Sequence, residues 1–161
     1  MAEVAIINAS PLILLARGGH ADLLHRFFNH VLIPRQVADE IMVRGDLDVT
    51  VSVMRQVEWL EIINVGTIPR SIEMWGLGAG ESSVIALSME MGRVDVIIDD
   101  LAGRRCALSN NVPVRGTLGL VLLAKQKGFI PAARPLMEDL IRGGLYLSRH
   151  VLNSALARVG E

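Results

Sequence analysis

The sequence has few of the features that mark secreted or membrane proteins. Its 161 residues include one cysteine, Cys106, which excludes an internal disulfide and fits a reducing cytoplasm. The first residues lack a basic segment followed by a long apolar core and a cleavage site, so we do not expect secretion. No apolar run approaches the roughly 20 residues that cross a bilayer. These absences predict a cytoplasmic protein that does not use a membrane.

Aromatic residues and excess positive charge are also scarce. Aromatics make up 4% of the chain and hydrophobic residues 51%, so the interior should be aliphatic. The net charge is −1, and any nucleic-acid contact would therefore have to use a local basic patch. The length fits a single domain over residues 1–161. The apolar content is high for a soluble monomer, and we expect a homodimer or larger homo-oligomer.

Short β-branched runs alternate with amphipathic helical segments along the chain. The predicted strands are Val4 to Ile7, Val31 to Ile33, Leu60 to Val65, Val94 to Ile98 and Pro113 to Gly116. Such alternation is typical of a parallel sheet covered by helices. The expected fold is a three-layer α/β/α sandwich with a central parallel sheet of about four to five strands. Ser10, Thr117 and Ser148 are predicted helix N-caps.

Polar side chains stand where two of these strands end. Asp99 and Asp100 follow the run Val94 to Ile98, and Asn8 follows the first strand. In open α/β sheets, ligand-binding and active sites lie beyond the carboxyl ends of the strands. Adjacent carboxylates repel each other unless a cation or proton compensates them. Oxygen ligands of this kind suit Mg²⁺ or Mn²⁺.

Two glutamates are candidates for the same cluster. Glu40 and Glu81 each follow a loop near the predicted start of a helix. They can serve as further metal ligands, but favourable charges at helix N-termini explain each of them as well. The segment Gly76 to Gly80 resembles a dinucleotide-binding loop, yet the preceding strand ends near Val65, too far away for that motif. We therefore reject a dinucleotide site.

Several short motifs follow one another over nearly the whole chain. They are Asn8-Ala9-Ser10-Pro11-Leu12-Ile13, Leu32-Ile33-Pro34 with Val37 to Glu40, Leu77 to Glu81 with Val84 to Leu87, Ile97 to Asp100 with Ala102 and Arg104-Arg105, Gly116 to Gly119, and Ala124-Lys125 with Gly128 to Pro131. In this ordered set the chain resembles a PIN domain. The resemblance is to the branch with an Asn/Asp-x-Ser/Thr-Pro-Leu-Ile opening.

The resemblance implies a Rossmann-like sandwich whose acidic residues bind Mg²⁺ or Mn²⁺ and cleave RNA. By position in the motifs, Asn8 corresponds to the first acidic residue of the family, Glu40 to the second and Glu81 to the third. Asp99, with Asp100 beside it, stands at the last, and spacing does not decide which of the two faces the metal. Many relatives are toxins of prokaryotic toxin–antitoxin pairs, so the implied partners are an RNA substrate and a small antitoxin protein.

Asn8 departs from the family pattern, in which most active nucleases carry Asp. An amide offers a carbonyl oxygen but no negative charge, and lower charge weakens divalent-metal affinity. We expect reduced metal affinity and slow or absent cleavage compared with an Asn8→Asp variant. The alternative is a catalytically weak or inactive PIN fold that binds RNA or a protein.

Other polar residues complete the predicted site. Ser10 and Thr117 can orient a metal ligand or water, and helix capping is compatible with that role. Arg104, Arg105 and Arg115 can hold RNA phosphates through bidentate contacts, although solvated helix charges explain them too.

Overall fold

The protein is built around one parallel sheet. The computed structural model describes residues 2–161, and within them the strands are β1 (Ala2–Ile7), β2 (Phe28–Pro34), β3 (Leu60–Ile63), β4 (Asp95–Ile97) and β5 (Val114–Arg115). These strands pair in the order β3-β2-β1-β4-β5, and every pairing is parallel. The predicted α/β/α sandwich with a parallel sheet of about this size is confirmed.

Helices fill the connections between the strands. They are α1 (Ala9–Arg17), α2 (Asp22–Phe27), α3 (Arg35–Met42), α4 (Val49–Gln56), α5 (Arg70–Glu73), α6 (Ala79–Glu90), α7 (Leu101–Ser109), α8 (Thr117–Gln126), α9 (Arg134–Arg142) and α10 (Arg149–Ala157). Parallel strands need such crossover connections, and helices on the sheet faces bury them. In the part of the chain that the structure describes, no helix is both long and apolar enough to span a membrane.

The core is aliphatic, as the composition predicts. Ala5, Ile6 and Ile7 of the central strand β1 are fully buried, and so are Val96 and Ile97 of β4. α6 packs on β1, β2 and β4, and it also contacts α3. A strand that is covered on both faces carries an unbroken apolar run, which explains the run from Val4 to Ile7 in β1.

The order of the strands creates a switch point between β1 and β4. From β1 the chain moves outward through β2 and β3, and it then returns to place β4 and β5 on the other side of β1. The Asn8 backbone N–H donates to the Ile97 carbonyl at 3.0 Å, which joins the carboxyl ends of the two strands. Asn8 and the Asp99-Asp100 pair therefore emerge side by side, where ligands bind in open α/β sheets.

Three local predictions need correction. The N-cap of α1 is Asn8 rather than Ser10, because the helix begins two residues earlier than predicted, at Ala9 rather than Pro11. The N-cap of α8 is Gly116, and Thr117 is the first helical residue. Glu40 lies in the last turn of α3 rather than near its start. The predicted cap at Ser148 is confirmed, since its hydroxyl oxygen accepts from the Val151 N–H at 3.2 Å.

The sequence analysis also missed helix α9. Proline and glycine residues around this segment suggested only breaks, but Pro135 is compatible with the first turn of a helix. Leu136, Met137 and Leu140 form its buried face. The i, i+1, i+4 spacing of these apolar residues was the available signal.

Candidate metal centre

A cleft opens at the carboxyl ends of β1 and β4. Its volume is about 370 Å³, and it is lined by Asn8, Ser10, Leu14, Glu81, Asp99, Asp100, Gly144, Leu145 and Tyr146. An adjoining hollow of about 250 Å³ shares Ser10 and includes Glu40. Residues that are distant in the sequence thus border one continuous region of the surface.

Asn8 is the buried member of this cluster. It is 3% exposed, and its Nδ2 donates a hydrogen bond to Glu81 Oε1 at 3.2 Å. Its Oδ1 is buried and has no hydrogen-bond partner among residues 2–161. Buried polar atoms in folded proteins are nearly always paired with protein, water or an ion. An unpaired carbonyl oxygen beside a carboxylate is suited to a cation or to an ordered water.

Glu40 reaches the cluster across a glycine of α6. A Cβ on Gly80 would lie 3.0 Å from Glu40 Oε2 and 3.2 Å from Asn8 Oδ1. Both contacts are tighter than ordinary van der Waals packing, so the missing side chain leaves room for two oxygen-bearing groups. Because α3 packs against α6, Glu40 approaches from one helix and Glu81 from the other.

Asp99 is held in a fixed orientation by Thr117. The Thr117 N–H donates to Asp99 Oδ1 at 2.7 Å, and the Thr117 hydroxyl donates to Asp99 Oδ2 at 2.6 Å. Thr117 is fully buried at the start of α8, where the helix dipole also favours a carboxylate. Asp99 therefore faces the cleft with its side chain already ordered.

Asp100 has a different environment. It is the N-cap of α7, and its Oδ2 accepts from the Gly103 N–H at 2.8 Å. A Cβ on Gly103 would lie 3.5 Å from Asp100 Oδ2 and 3.5 Å from Glu81 Cγ, so these two acidic side chains are neighbours. Asp100 is exposed, whereas Asp99 is half-buried.

The three candidate arginines are separated by the fold. A Cβ on Gly116 would lie 2.5 Å from Arg104 Nη1 and 3.2 Å from Asp99 Oδ1, which places the Arg104 guanidinium beside Asp99. Arg105 is exposed at the next position of α7. Arg115 ends β5 opposite Ile97, but its side chain turns away from the cluster: its Nε is 3.7 Å from Asp95 Oδ2 at the amino end of β4. The structure thus brings Arg104, but not Arg115, to the acidic cluster.

One wall of the cleft was missed by the sequence analysis. The loop between α9 and α10 contributes Gly144, Leu145 and Tyr146, and Tyr146 is 97% exposed. Gly144 has φ +119°, a conformation that favours glycine, and its Cβ would lie 4.0 Å from Leu14 of α1. The only sequence signal was the Gly143-Gly144 pair, which indicates a loop but not where it packs.

A comparison with known families identifies the fold. The DUF3368 family model, described as a PIN domain, matches residues 4–161. The chain belongs to the PIN-domain family. No curated protein matches the sequence. A PIN domain is a nuclease-type fold that generally depends on a divalent metal, and membership of the family indicates an RNA-related function.

Side chains at the cleft of this PIN domain offer oxygen donors of the kind that a hard divalent cation prefers. Among residues 2–161, no group of three or more His, Cys, Asp or Glu side chains is arranged to hold a metal ion. Mg²⁺, however, commonly uses one or two carboxylates, keeps several waters and binds substrate phosphates. Asp99, Glu81 and the unpaired Asn8 Oδ1 supply such a limited set of oxygens. The donor chemistry therefore suits Mg²⁺ or Mn²⁺.

Proposed function

We propose that this PIN domain is a divalent-metal-dependent ribonuclease that hydrolyses RNA phosphodiester bonds. One observation carries the proposal. Asn8, with its buried unpaired Oδ1, contacts Glu81 and shares a cleft with Asp99 at the switch point of the sheet. This convergence supports a cation site, and the family supports the use of that site on RNA.

The acidic cluster has a division of roles in this proposal. Asn8, Glu81 and Asp99 would hold Mg²⁺ or Mn²⁺, with Asp100 and Glu40 adding negative charge at the margin. A bound divalent cation stabilises charge on the phosphodiester and lowers the pKa of water. Thr117 holds both oxygens of Asp99, and the Asn8 amide orients Glu81. These contacts prepare the oxygens before RNA arrives, which lowers the reorganisation needed for catalysis.

Residues around the cleft would position the RNA. The Arg104 guanidinium beside Asp99 is suited to a phosphate oxygen, and Ser10 at the rim can donate to a phosphate or to water. The exposed Tyr146 ring offers a stacking surface for an unpaired base. Arg105 stays a candidate for a more distant phosphate, whereas Arg115 would contact RNA only on a separate surface.

A second candidate function is a binding module with weak or no cleavage. The neutral Asn8 favours this alternative, because the amide adds no charge to the cluster and its Nδ2 already donates a hydrogen bond to Glu81. In that case the PIN domain would bind RNA or a protein with little turnover. Cleavage rates separate the two candidates directly.

We extend the first proposal to a toxin of a toxin–antitoxin pair, with a small antitoxin protein as partner. The Asn-x-Ser-Pro-Leu-Ile opening supports this through its resemblance to that branch of the family. If the proposal is right, expression of the isolated protein slows bacterial growth, and Asp99→Asn relieves the effect. The expected homo-oligomer stays a prediction, which light scattering tests.

The main experiment measures cleavage of a mixed RNA pool with Mn²⁺. We compare the wild type with Asp99→Asn and Asp100→Asn, and use Asp46→Asn as a control because Asp46 is exposed in the α3–α4 connection. Asn preserves a hydrogen-bonding side chain at position 99 and remains a good N-cap at position 100. Asp99→Asn should lower cleavage by at least about a hundredfold, with a smaller loss for Asp100→Asn. Equal cleavage by all four proteins would overturn the proposal.

A further inference from the structure

A second cavity lies toward the amino ends of β2 and β4 and shares no lining residue with the acidic cluster. Phe28 and Asp95, the first residues of β2 and β4, both line it, so the cavity belongs to the amino ends of the strands. Its volume is about 340 Å³, within the range of roughly 300–1,000 Å³ that small ligands occupy. Nothing in the proposed nuclease chemistry uses this end of the molecule.

The apolar wall of this cavity concentrates the scarce aromatic residues. All three phenylalanines of the chain, Phe27, Phe28 and Phe129, line it. The Phe27 and Phe129 rings meet edge to face with their centroids 5.1 Å apart. The ring centroids of Phe27 and Phe28 are 6.1 Å apart. Phe27 and Phe28 are buried, whereas Phe129 is partly accessible. The result is a preformed apolar surface that a flat ligand can contact at little entropic cost.

Cationic groups surround this apolar surface. Arg26, Arg115 and Lys127 line the cavity together with one carboxylate, Asp95, which lies 3.7 Å from Arg115 Nε. The Arg26 guanidinium carbon lies 4.8 Å from the centroid of the Phe129 ring. Three cations against one carboxylate form a local excess of positive charge in a chain whose net charge is −1. An anion would find complementary charge here.

We propose that this cavity binds a small aromatic anion of the nucleoside monophosphate class. The flat base would lie against Phe129 and the Arg26 guanidinium, since both aromatic rings and guanidinium planes stack on bases. The phosphate would contact Arg115 and Lys127, which offer charge-assisted hydrogen bonds. The aromatic wall and the cations together favour a ligand that carries both a ring and a negative charge.

The test is titration of the full chain with adenosine monophosphate by isothermal calorimetry. The buffer contains a chelator and no divalent cation, so that a metal-bound phosphate at the acidic cluster does not contribute. Adenosine and inorganic phosphate serve as probes for the two halves of the ligand. We expect saturable binding of the nucleotide and at least about tenfold weaker binding of either half.

Variants tie the binding to the cavity. Lys127→Gln and Phe129→Leu should each weaken nucleotide binding by roughly tenfold, because one removes a charge and the other a ring. Arg70→Gln, an exposed cation that lines a different hollow, should leave it unchanged. Lys127 is exposed, so its substitution should leave the melting temperature close to that of the wild type.

Amide chemical shifts locate the ligand independently of the variants. We expect changes at Phe28, Asp95, Arg115 and Phe129. No saturable binding, binding of adenosine as tight as that of the nucleotide, or shifts confined to Asn8 and Asp99 would each overturn the proposal. The result does not depend on RNA cleavage, so the proposed nuclease can fail while this site stands, or the reverse.

Discussion

Asn8 Nδ2 donates a hydrogen bond to Glu81 Oε1 at 3.2 Å, while Asn8 Oδ1 is buried without a partner within residues 2–161. The nitrogen of this amide therefore has a hydrogen-bond partner, whereas its oxygen has none within residues 2–161. The nitrogen donates to Glu81 where a carboxylate at position 8 would repel it, and the oxygen stays available to a cation. This arrangement allows a compact acidic cluster in the absence of metal.

The first prediction concerns the charge at position 8. Asn8→Asp should lower stability in metal-free buffer by roughly 1–3 kcal/mol, because a hydrogen bond to Glu81 is replaced by repulsion between carboxylates. The same variant should bind Mn²⁺ about tenfold more tightly and cleave RNA faster, since a charged ligand is added. Melting curves with and without Mn²⁺, metal titration and cleavage assays measure these effects.

Asn29→Asp is the matched control, because Asn29 is exposed on β2, away from the acidic cluster. It should change neither metal affinity nor cleavage. Equal Mn²⁺ affinity of the wild type and Asn8→Asp would show that the position 8 side chain does not contact the cation.

The second prediction concerns the missing side chain at position 80. Gly80→Ala places a methyl group 3.0 Å from Glu40 Oε2 and 3.2 Å from Asn8 Oδ1, so at least one of these groups must move. Metal affinity and cleavage should fall by about tenfold, because ligand geometry is disturbed while the helix is retained. Titration with Mn²⁺ and circular dichroism give the two readouts.

Gly119→Ala is the control for Gly80→Ala. A Cβ on Gly119, on an exposed face of α8, meets nothing within 4 Å. This variant should gain up to about 1 kcal/mol from helix propensity and keep wild-type metal binding. If Gly80→Ala behaves in the same way, Glu40 and Asn8 have no shared role at that position.

The third prediction concerns the exposed ring of Tyr146. Tyr146→Ala should weaken binding of single-stranded RNA by about 1–3 kcal/mol if a base stacks on the ring, whereas Tyr146→Phe should bind nearly as the wild type does. The side chain is 97% exposed, so stability should change little. Fluorescence anisotropy with an Asp99→Asn background prevents cleavage during the measurement. Equal loss in the Ala and Phe variants would point to the hydroxyl group instead.

The fourth prediction is a pH dependence of stability that involves Glu161. Its carboxylate accepts hydrogen bonds from the Ala133 and Arg134 N–H groups, at 2.6 and 3.1 Å, at the start of α9. The hydrogen bond from Ala133, followed by that from Arg134, lowers the pKa of Glu161 below its ordinary value of 4.5. A lowered pKa in the folded state means that the stabilisation is present above pH 4.5 and is lost as the pH falls through the folded value.

Glu161→Gln should therefore melt at a lower temperature than the wild type at neutral pH. The difference should shrink toward zero as the pH falls below 4.5 and through the lowered folded-state pKa, where the wild-type carboxyl becomes protonated. Melting curves across this range are the measurement. A difference that stays constant from neutral to acidic pH would show that the charge of Glu161 does not stabilise α9.

Much of this fold could be predicted from the sequence, because the local patterns of the separate segments all indicate the same architecture. The apolar run of β1 and the alternation of strands with helices both point to a buried parallel sheet, and the structure has one. Helix boundaries were less certain. The start of α1 at Ala9 rather than Pro11 depends on the backbone after β1, where the Asn8 N–H bonds to Ile97 of a distant strand.

The sequence by itself determined which residues could supply oxygen ligands, and that Asn8 and Asp99-Asp100 follow apolar strands. Only the tertiary structure decided their partners. Thr117 donates a hydrogen bond to Asp99, 18 residues away in the sequence, and Asn8 donates one to Glu81, 73 residues away. It also turned the Arg115 side chain back toward Asp95, although Arg115 itself pairs with Ile97, while the Arg104 guanidinium lies beside Asp99. Spacing along a chain fixes a residue's own element, but packing between elements fixes which side chains meet, and that depends on contacts made throughout the core.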